Sequence, residues 1–184
     1  MNRRRLLILA ALPLLGAATQ SSDWSLVRPD SALSMEVRAF GSAQSGRFED
    51  WRGDITFDPA RPQATRADVV VQTASLRMNS NAATQAARGR DFLDAARHPT
   101  VRLQLRSLEP LGATRYTARA DVTIKGRTQS VTFPVDLRTE GDRARMTGSL
   151  SLDRTAFGIG TSGPLNGLIA RQVTVRVSLT ARRG

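Results

Sequence analysis

Residues able to do chemistry are few and scattered along this chain. His98 is the sole histidine and there is no cysteine, so thiolate chemistry is excluded and a zinc site would have to be built mostly from carboxylates. His98 precedes Pro99 at the entry to an apolar stretch, where a surface or helix-end histidine is expected. Asp91 and Asp94 form an Asp-x-x-Asp pair whose spacing suits capping the start of a helical turn rather than acid–base work. Asp153 beside Arg154 reads as a structural ion pair at a strand end. No Gly-x-Ser-x-Gly elbow and no phosphate-cradling P-loop is present. The sequence therefore holds no catalytic set, no metal set and no cofactor motif, and the chain reads as a non-enzyme.

The elements that would position these residues are strands. Val101, Leu103 and Leu105 alternate with Arg102, Gln104 and Arg106, which puts apolar side chains on one face and charge on the other. The same period of two runs through Tyr116–Ile124, Val131–Leu137, Ala144–Leu152 and Val173–Leu179. Leu33–Phe40, Trp51–Phe57 and Arg66–Ser75 are less regular but strand-like, for an expected total of eight. Turn residues separate them at Asp58-Pro59, Leu111-Gly112, Lys125-Gly126 and Glu140-Gly141-Asp142. Pro134 lacks a ladder donor and should be a bulge or lie near a strand end. The exception is Asn79–Ala96, rich in alanine and polar residues. Here Asn81 is placed to cap a short helix, Gly89 to end it and Asp91 to cap a second turn. The expected fold is all-β: an eight-stranded antiparallel barrel with a short helical crossover between strands 3 and 4. Small residues on the inward phase (Ala39, Ala67, Ala118, Ala120, Ala144, Gly148) favour an enclosed cavity over a solid core, although close packing against curved strands would use them too.

The first eighteen residues have the form of a secretory signal: Arg3, Arg4 and Arg5, an apolar run from Leu6 to Leu15, and small Gly16 and Ala18. Residues 1–18 are expected to be removed on export, leaving 19–184 as one domain in the periplasm. The Arg3–Leu7 stretch also loosely fits a twin-arginine signal. The formal charge is +11, and removing three signal arginines leaves 11 − 3 = +8. That balance would draw the protein to anionic membrane phospholipids, lipid pyrophosphates or acidic proteins, although an arginine-rich composition gives the same charge with no partner implied. Nucleic acid is not expected, because two Trp, one Tyr and six Phe offer no clustered stacking platform. The sequence leaves the oligomeric state open, a homodimer included.

The order of several short pieces is more specific than any one of them. These are Ser31, Gly46-Arg47-Phe48, Gly53-Asp54-Ile55-Thr56-Phe57-Asp58-Pro59 and Ser75, then Asp91-Phe92-Leu93-Asp94 and His98-Pro99-Thr100-Val101. Asp121-Val122-Thr123-Ile124-Lys125-Gly126-Arg127-Thr128 with Val131, Leu152-Asp153-Arg154, Phe157-Gly158-Ile159-Gly160 and the strand from Val173 complete the set. Together they resemble the YceI family of exported polyisoprenoid-binding proteins over nearly the whole mature chain. The resemblance implies a lipocalin-like barrel holding an isoprenoid or quinone-like lipid along its axis. It places the tail against Met35, Val37, Phe57, Val69, Val71, Leu103, Leu105, Tyr116, Val122 and Phe133, with Ala120 also inward, and Phe92, Leu93 and Phe157 near the mouth. One piece departs from the family pattern: where an Arg-Asp-x-His-Leu run is usual, this chain has Ala83, Thr84, Gln85, Ala86 and Ala87. The competing expectation is a non-catalytic interaction module, a filled barrel docking an acidic membrane or electron-transfer partner through its basic face.

Overall fold

The computed structural model describes residues 24–57, 61–162 and 166–183. The expected signal segment and the Asp58-Pro59 turn lie outside the described residues. Almost all the regular structure is antiparallel strand: β1 (Trp24–Leu26), β2 (Ala32–Ala39), β3 (Ser42–Phe48), β4 (Trp51–Thr56), β5 (Arg66–Gln72) and β6 (Leu76–Met78). After the helix α1 (Asn81–Arg88) come β7 (Thr100–Pro110), β8 (Arg115–Ile124), β9 (Arg127–Glu140), β10 (Arg143–Asp153) and β11 (Ile169–Arg183). They form one curled sheet in the order β4-β5-β7-β8-β9-β10-β11-β2-β3-β6, with β1 paired to β11.

The described strands number eleven, not eight, and the reasons are local. β1 is too short to show a period. β3 turns Gln44, Gly46 and Phe48 to one face, so a polar and a small side chain mask its alternation. Gly46 is favoured there by close approach: a Cβ would fall 2.6 Å from Met78 Sδ and 3.0 Å from the Arg77 carbonyl oxygen on the paired β6. The third expected strand, Arg66–Ser75, stops at Gln72, a 3-10 turn takes Thr73–Ser75, and the short β6 follows as an unforeseen strand. Across these breaks the arms stay bonded, with Gln72 N–H donating to Asp50 O and Glu49 N–H to Ser75 O. Chain continuity from β3 to β4 and from β5 to β6 thus joins the two ends of the hydrogen-bonded order, and the sheet wraps around an interior.

Turn chemistry fixes the hairpins. Lys125 and Gly126 have φ of 51° and 73°, the left-handed pair of a two-residue turn whose twist matches that of the flanking strands. Pro134 is neither a bulge nor near a strand end: it sits inside β9 opposite Thr117 of β8, and its missing donor falls just past the point where β9 stops pairing with β10, Val135 opposite Gly148. A register shift between Leu105 and Ser107 makes Arg106 an extra residue, so Leu105 and Leu108 both face inward despite their odd spacing. The strand phases agree with the sequence pattern elsewhere. Val122 and Phe133 are buried, Leu103, Leu105, Tyr116 and Val175 half-buried, and Arg102, Arg106, Arg119 and Arg176 exposed.

The helix follows β6 and is capped by Ser80, whose hydroxyl accepts from Ala83 N–H; Asn81 is the first helical residue instead of the cap. Gly89 ends it as expected. Beyond it the chain runs in turns, with no second helix begun by Asp91. The backbone oxygen of Asp91 accepts from Gly160 N–H at 2.6 Å, and Asp94 is buried at φ 48°.

Candidate functional site: an apolar cavity with a floor and a mouth

The curled sheet encloses a cavity of about 620 Å³, within the ~300–1,000 Å³ range of small-molecule sites. Among the described residues the lining is almost entirely aliphatic and aromatic; apart from the indole of Trp24, its polar members are Gln44, Thr65 and Arg154. Register gives the cavity a direction. At one end Ala144 pairs with Ala181 and β1 pairs with the end of β11. Trp24 and Phe57 meet there with ring centroids 6.0 Å apart, packed with Ala144, Ala181, Ile55 and Leu137. This is the floor. At the other end stand Ala39 opposite Ile169, the β2–β3 turn, α1 and the segment after β10. This is the mouth.

The mouth is apolar yet open. Phe40 lines the cavity although it is 59% exposed, and its N–H donates to the carbonyl of Leu168, which is 54% exposed. Phe40 also sits at φ 53°, a left-handed conformation that side chains bearing a Cβ seldom adopt. Across from it, α1 contributes Ala82, Ala83, Ala86 and Ala87 to the lining. Ala83, Ala86 and Ala87 fall in the stretch where the family resemblance led one to expect a charged run, so α1 itself adds no ionic group to the lining. Met78 and Leu76 continue the wall from β6.

The rim is held by Arg154, which is 3% exposed. Its Nε donates to Ala170 O, Nη1 to Ile159 O and Gly160 O, and Nη2 to Asn166 O, Asn166 Oδ1 and Ile169 O, at 2.7–3.0 Å. All five guanidinium N–H groups are therefore spent on this segment. Burial pushes the Arg154 guanidinium down from its ordinary value, though an arginine stays charged at neutral pH. The expected Asp153–Arg154 ion pair is not formed. Asp153 instead caps the 3-10 turn Arg154–Phe157, accepting from Thr155 N–H and Oγ1, and pairs with Arg171 at 2.8 Å. Those bonds, led by the Thr155 hydroxyl and then by Arg171, lower its carboxyl to about 2.

Of the residues expected to line a ligand, Met35, Val37, Phe57, Val69, Val71, Leu103, Leu105, Val122 and Phe133 lie on the cavity wall, and Phe92, Leu93 and Phe157 line it at the mouth end. Tyr116 and Ala120 do not line it. Ala120 is buried within the packed core with Val122 and Phe133, and Tyr116 packs against that same core at the far end of β8. The inward phase is right for both, but an inward Cβ on a tightly curved wall need not reach the cavity. Sequence reasoning missed Phe40, Leu108, Thr65, Met78 and the alanines of α1. Only the alanines carried a signal, in the departure from the family run. The expectation of no cofactor motif passed over one spacing, Gly158, Gly160 and Gly163 as in a nucleotide-binding loop, but Gly158 and Gly160 follow a 3-10 turn rather than a parallel strand, so the spacing is fortuitous.

Outside, arginines and carboxylates on neighbouring strands are stitched together: Arg102 with Asp68, and Arg106 with Asp121 at 2.7 Å. Asp68 is held below the usual carboxylate range by its bond from Arg102, and Asp121 by bonds from Ser130 and then Arg106. At the mouth end Arg38, Arg90 and Arg127 are exposed without an ion pair among the described residues, and Lys125 Nζ lies 3.4 Å from the carbonyls of Arg90 and Gly158. Asp91 is the exposed carboxylate among them.

Comparison with known proteins agrees with this architecture. A "UPF0312 protein" of Pseudomonas syringae pv. tomato is 29% identical over 135 residues, covering 70% of each chain. The crystal structure of Burkholderia cenocepacia BcnA superposes with a TM-score of 0.80 at 24% identity, covering 85% of this chain and 99% of that one. A polyisoprenoid binding domain from Saccharophagus degradans, implicated in plant cell wall breakdown, gives 0.68 at 15% identity, covering 89% and 99%. The family model for the YceI-like domain matches residues 24–181, nearly every residue that builds the sheet and its cavity, and the chain belongs to that family.

Proposed function

We propose that this protein is a periplasmic carrier that holds one apolar isoprenoid or quinone-like lipid inside the curled sheet, without chemical change to it. The observation that carries this reading is the cavity: about 620 Å³ and apolar from floor to mouth. Each methylene taken from water into such a wall is worth ~0.8 kcal/mol, so a few isoprene units offset the cost of ordering the chain. The Saccharophagus degradans domain, described as polyisoprenoid binding, supports the same ligand class.

Loading follows from the mouth. Phe40 and Leu168 project there, flanked by Arg38, Arg90 and Arg127, a pairing of apolar tip and cationic rim suited to an anionic bilayer surface. The protein would touch the membrane mouth first and take lipid directly, without exposing it to water. Export through the N-terminal signal supplies the location.

The test is a plug. Met35 sits half-buried on the cavity wall between Val175 and Gly46. Met35→Trp should abolish lipid co-purifying from the periplasm, as read by native mass spectrometry and extraction. Wild-type protein that carries no lipid from its own periplasm would sink the carrier reading.

A further inference from the structure

We infer that the outer face of the sheet at the floor end docks an extended acidic segment of a partner protein, through Arg145 of β10 and Arg182 of β11. This rests on the carrier reading above and adds to it a partner, on the end of the molecule that the membrane contact leaves free.

Along most of the outer surface the arginines are spent on carboxylates: Arg102 on Asp68, Arg106 on Asp121, Arg171 on Asp153 and Arg176 on Glu36. Among the described residues, three arginine pairs nevertheless stand directly opposite one another on neighbouring strands. Like charges so placed destabilise a sheet unless an anion lies between them. Arg47 of β3 faces Arg77 of β6, and Glu49 bridges the two at 3.2 and 3.3 Å. At the floor end Arg138 of β9 faces Arg145, and Arg143 of β10 faces Arg182. Here no described carboxylate bridges either pair. Asp136 takes Arg138 at 2.9 Å and Asp30 takes Arg143 at 2.6 Å, so each pair keeps one arginine over. Arg145 and Arg182 are exposed and form no ion pair among the described residues. The other charged groups at this end, Arg115, Arg183, Glu140 and Asp142, cancel in sum.

The two surplus guanidinium groups are spaced for a particular ligand. Arg145 stands opposite Thr180, two residues before Arg182, so the arginines are diagonal neighbours with Cβ atoms about 7–8 Å apart. Alternate residues of an extended chain recur on one face every ~6.8 Å, twice the strand rise. A segment with Asp or Glu at alternate positions, lying across β10 and β11, would therefore set one carboxylate on each guanidinium, in the planar two-point geometry that arginine favours. A second copy of this chain fits poorly, because a two-fold contact through this face would bring arginine against arginine. With the mouth on the membrane, this end faces the periplasm, where carboxylates of fixed spacing belong to proteins. Exposed ion pairs are individually weak and screened by salt, so the contact forms and releases quickly, as a carrier handing on its cargo requires.

The probe is a fluorescein-labelled decapeptide of alternating glutamate and threonine, its affinity for the full-length mature protein read by anisotropy at low salt. Arg145→Thr with Arg182→Thr should weaken binding about fivefold and flatten its salt dependence, whereas the charge-matched mouth double, Arg38→Thr with Arg127→Thr, should stay within about twofold of wild type. The floor double relieves two like-charge pairs and should not lower the melting temperature. It should also co-sediment with phosphatidylglycerol vesicles as wild type does, and keep its co-purifying lipid. Equal losses of peptide binding in the two doubles would show that net charge alone attracts the probe, and weaker vesicle binding in the floor double would make this end a membrane contact. Either result overturns the inference and leaves the carrier reading standing. Wild-type protein that carries no lipid, with the peptide result intact, would overturn the carrier reading alone.

Discussion

The two ends of the cavity are built on opposite principles. The mouth is stabilised by polar bonds that face away from the cavity: Arg154 ties down five residues' carbonyls, and Asp153 caps the turn that carries Phe157. Its cavity surface is left small and apolar by alanines and Phe40. The floor is held by aromatic packing, and the buried Thr65 hydroxyl beside it has no hydrogen-bond partner among the described residues. The contrast is one of means: the mouth fixes an irregular backbone with polar bonds and leaves its inner surface bare, whereas the floor relies on ring packing and tolerates an unpaired hydroxyl at a cost in stability.

The largest effect should come from breaking the mouth. Arg154→Met removes a buried cation that satisfies carbonyls on both sides of the rim, leaving several of them unpaired. With charge-assisted bonds worth ~1.5–3 kcal/mol each and far from additive, a loss of at least ~3 kcal/mol is expected in urea unfolding. A change under ~1 kcal/mol would mean that water replaces the guanidinium easily and that the rim is not held by it.

The wall between the two ends gives a sharper comparison. Ala120 and Met35 both face inward, but Ala120 is packed in the core and Met35 borders empty space. Ala120→Trp should overpack and lower stability by more than ~3 kcal/mol, whereas Met35→Trp should cost ~1 kcal/mol or less while displacing lipid. Similar melting temperatures for the two variants would mean that the wall yields equally at both positions.

How much of this was legible in the sequence follows from which forces write themselves into a pattern. The period of two survives wherever a strand is long and one-faced, so β7 to β11 were readable, Lys125-Gly126 as their hairpin included. β3 was not, because its inward positions include Gln44, which is polar, and Gly46, which is kept small by close approach, so the face leaves no apolar signature. The bulge at Arg106 was hidden because one inserted residue reverses the phase that would have identified Leu108. At the site, the wall residues were found through phase alone, and phase cannot separate Ala120 in the core from Ala118 on the cavity. Thr65 was beyond reach, since a threonine is marked only by the hydrogen bond it fails to make.

Two smaller effects test the ends separately. Thr65→Val removes an unsatisfied hydroxyl at nearly constant shape, so the ligand-free protein should gain ~1 kcal/mol in thermal unfolding. At the mouth Phe40→Gly relieves a left-handed side chain, worth ~1 kcal/mol, but removes the apolar tip. It should melt slightly higher and co-sediment less with anionic vesicles than wild type. Undiminished vesicle binding would move the membrane contact away from the mouth.

The smallest effect is a local one in acid, and it separates the mouth from everything else. Asp153 has its folded carboxyl lowered from 3.8 to about 2 by the Thr155 hydroxyl, Arg171 and the Thr155 N–H. A depressed folded value means that the carboxylate's contribution is fully present above the unfolded value and is lost as pH falls through the folded one. The window is therefore pH 4 down to 2, and over it the cap on the turn Arg154–Phe157 should weaken. Asp68, Asp121 and Asp136 are lowered as well, so the whole sheet loses stability in the same direction, and a melting curve alone cannot isolate one group. Hydrogen exchange can. Amides of Thr155 to Gly160 should lose protection in this window ahead of the floor residues Leu179 to Ala181, because the former depend on the Asp153 cap and the latter on ladder bonds and packing. Asp153→Asn should show weakened protection at the mouth already at neutral pH and little further change on acidification there, while the floor behaves as in wild type. Mouth and floor losing protection together, in wild type and variant alike, would show that acid acts through the outer ion pairs and that the two ends open as one unit.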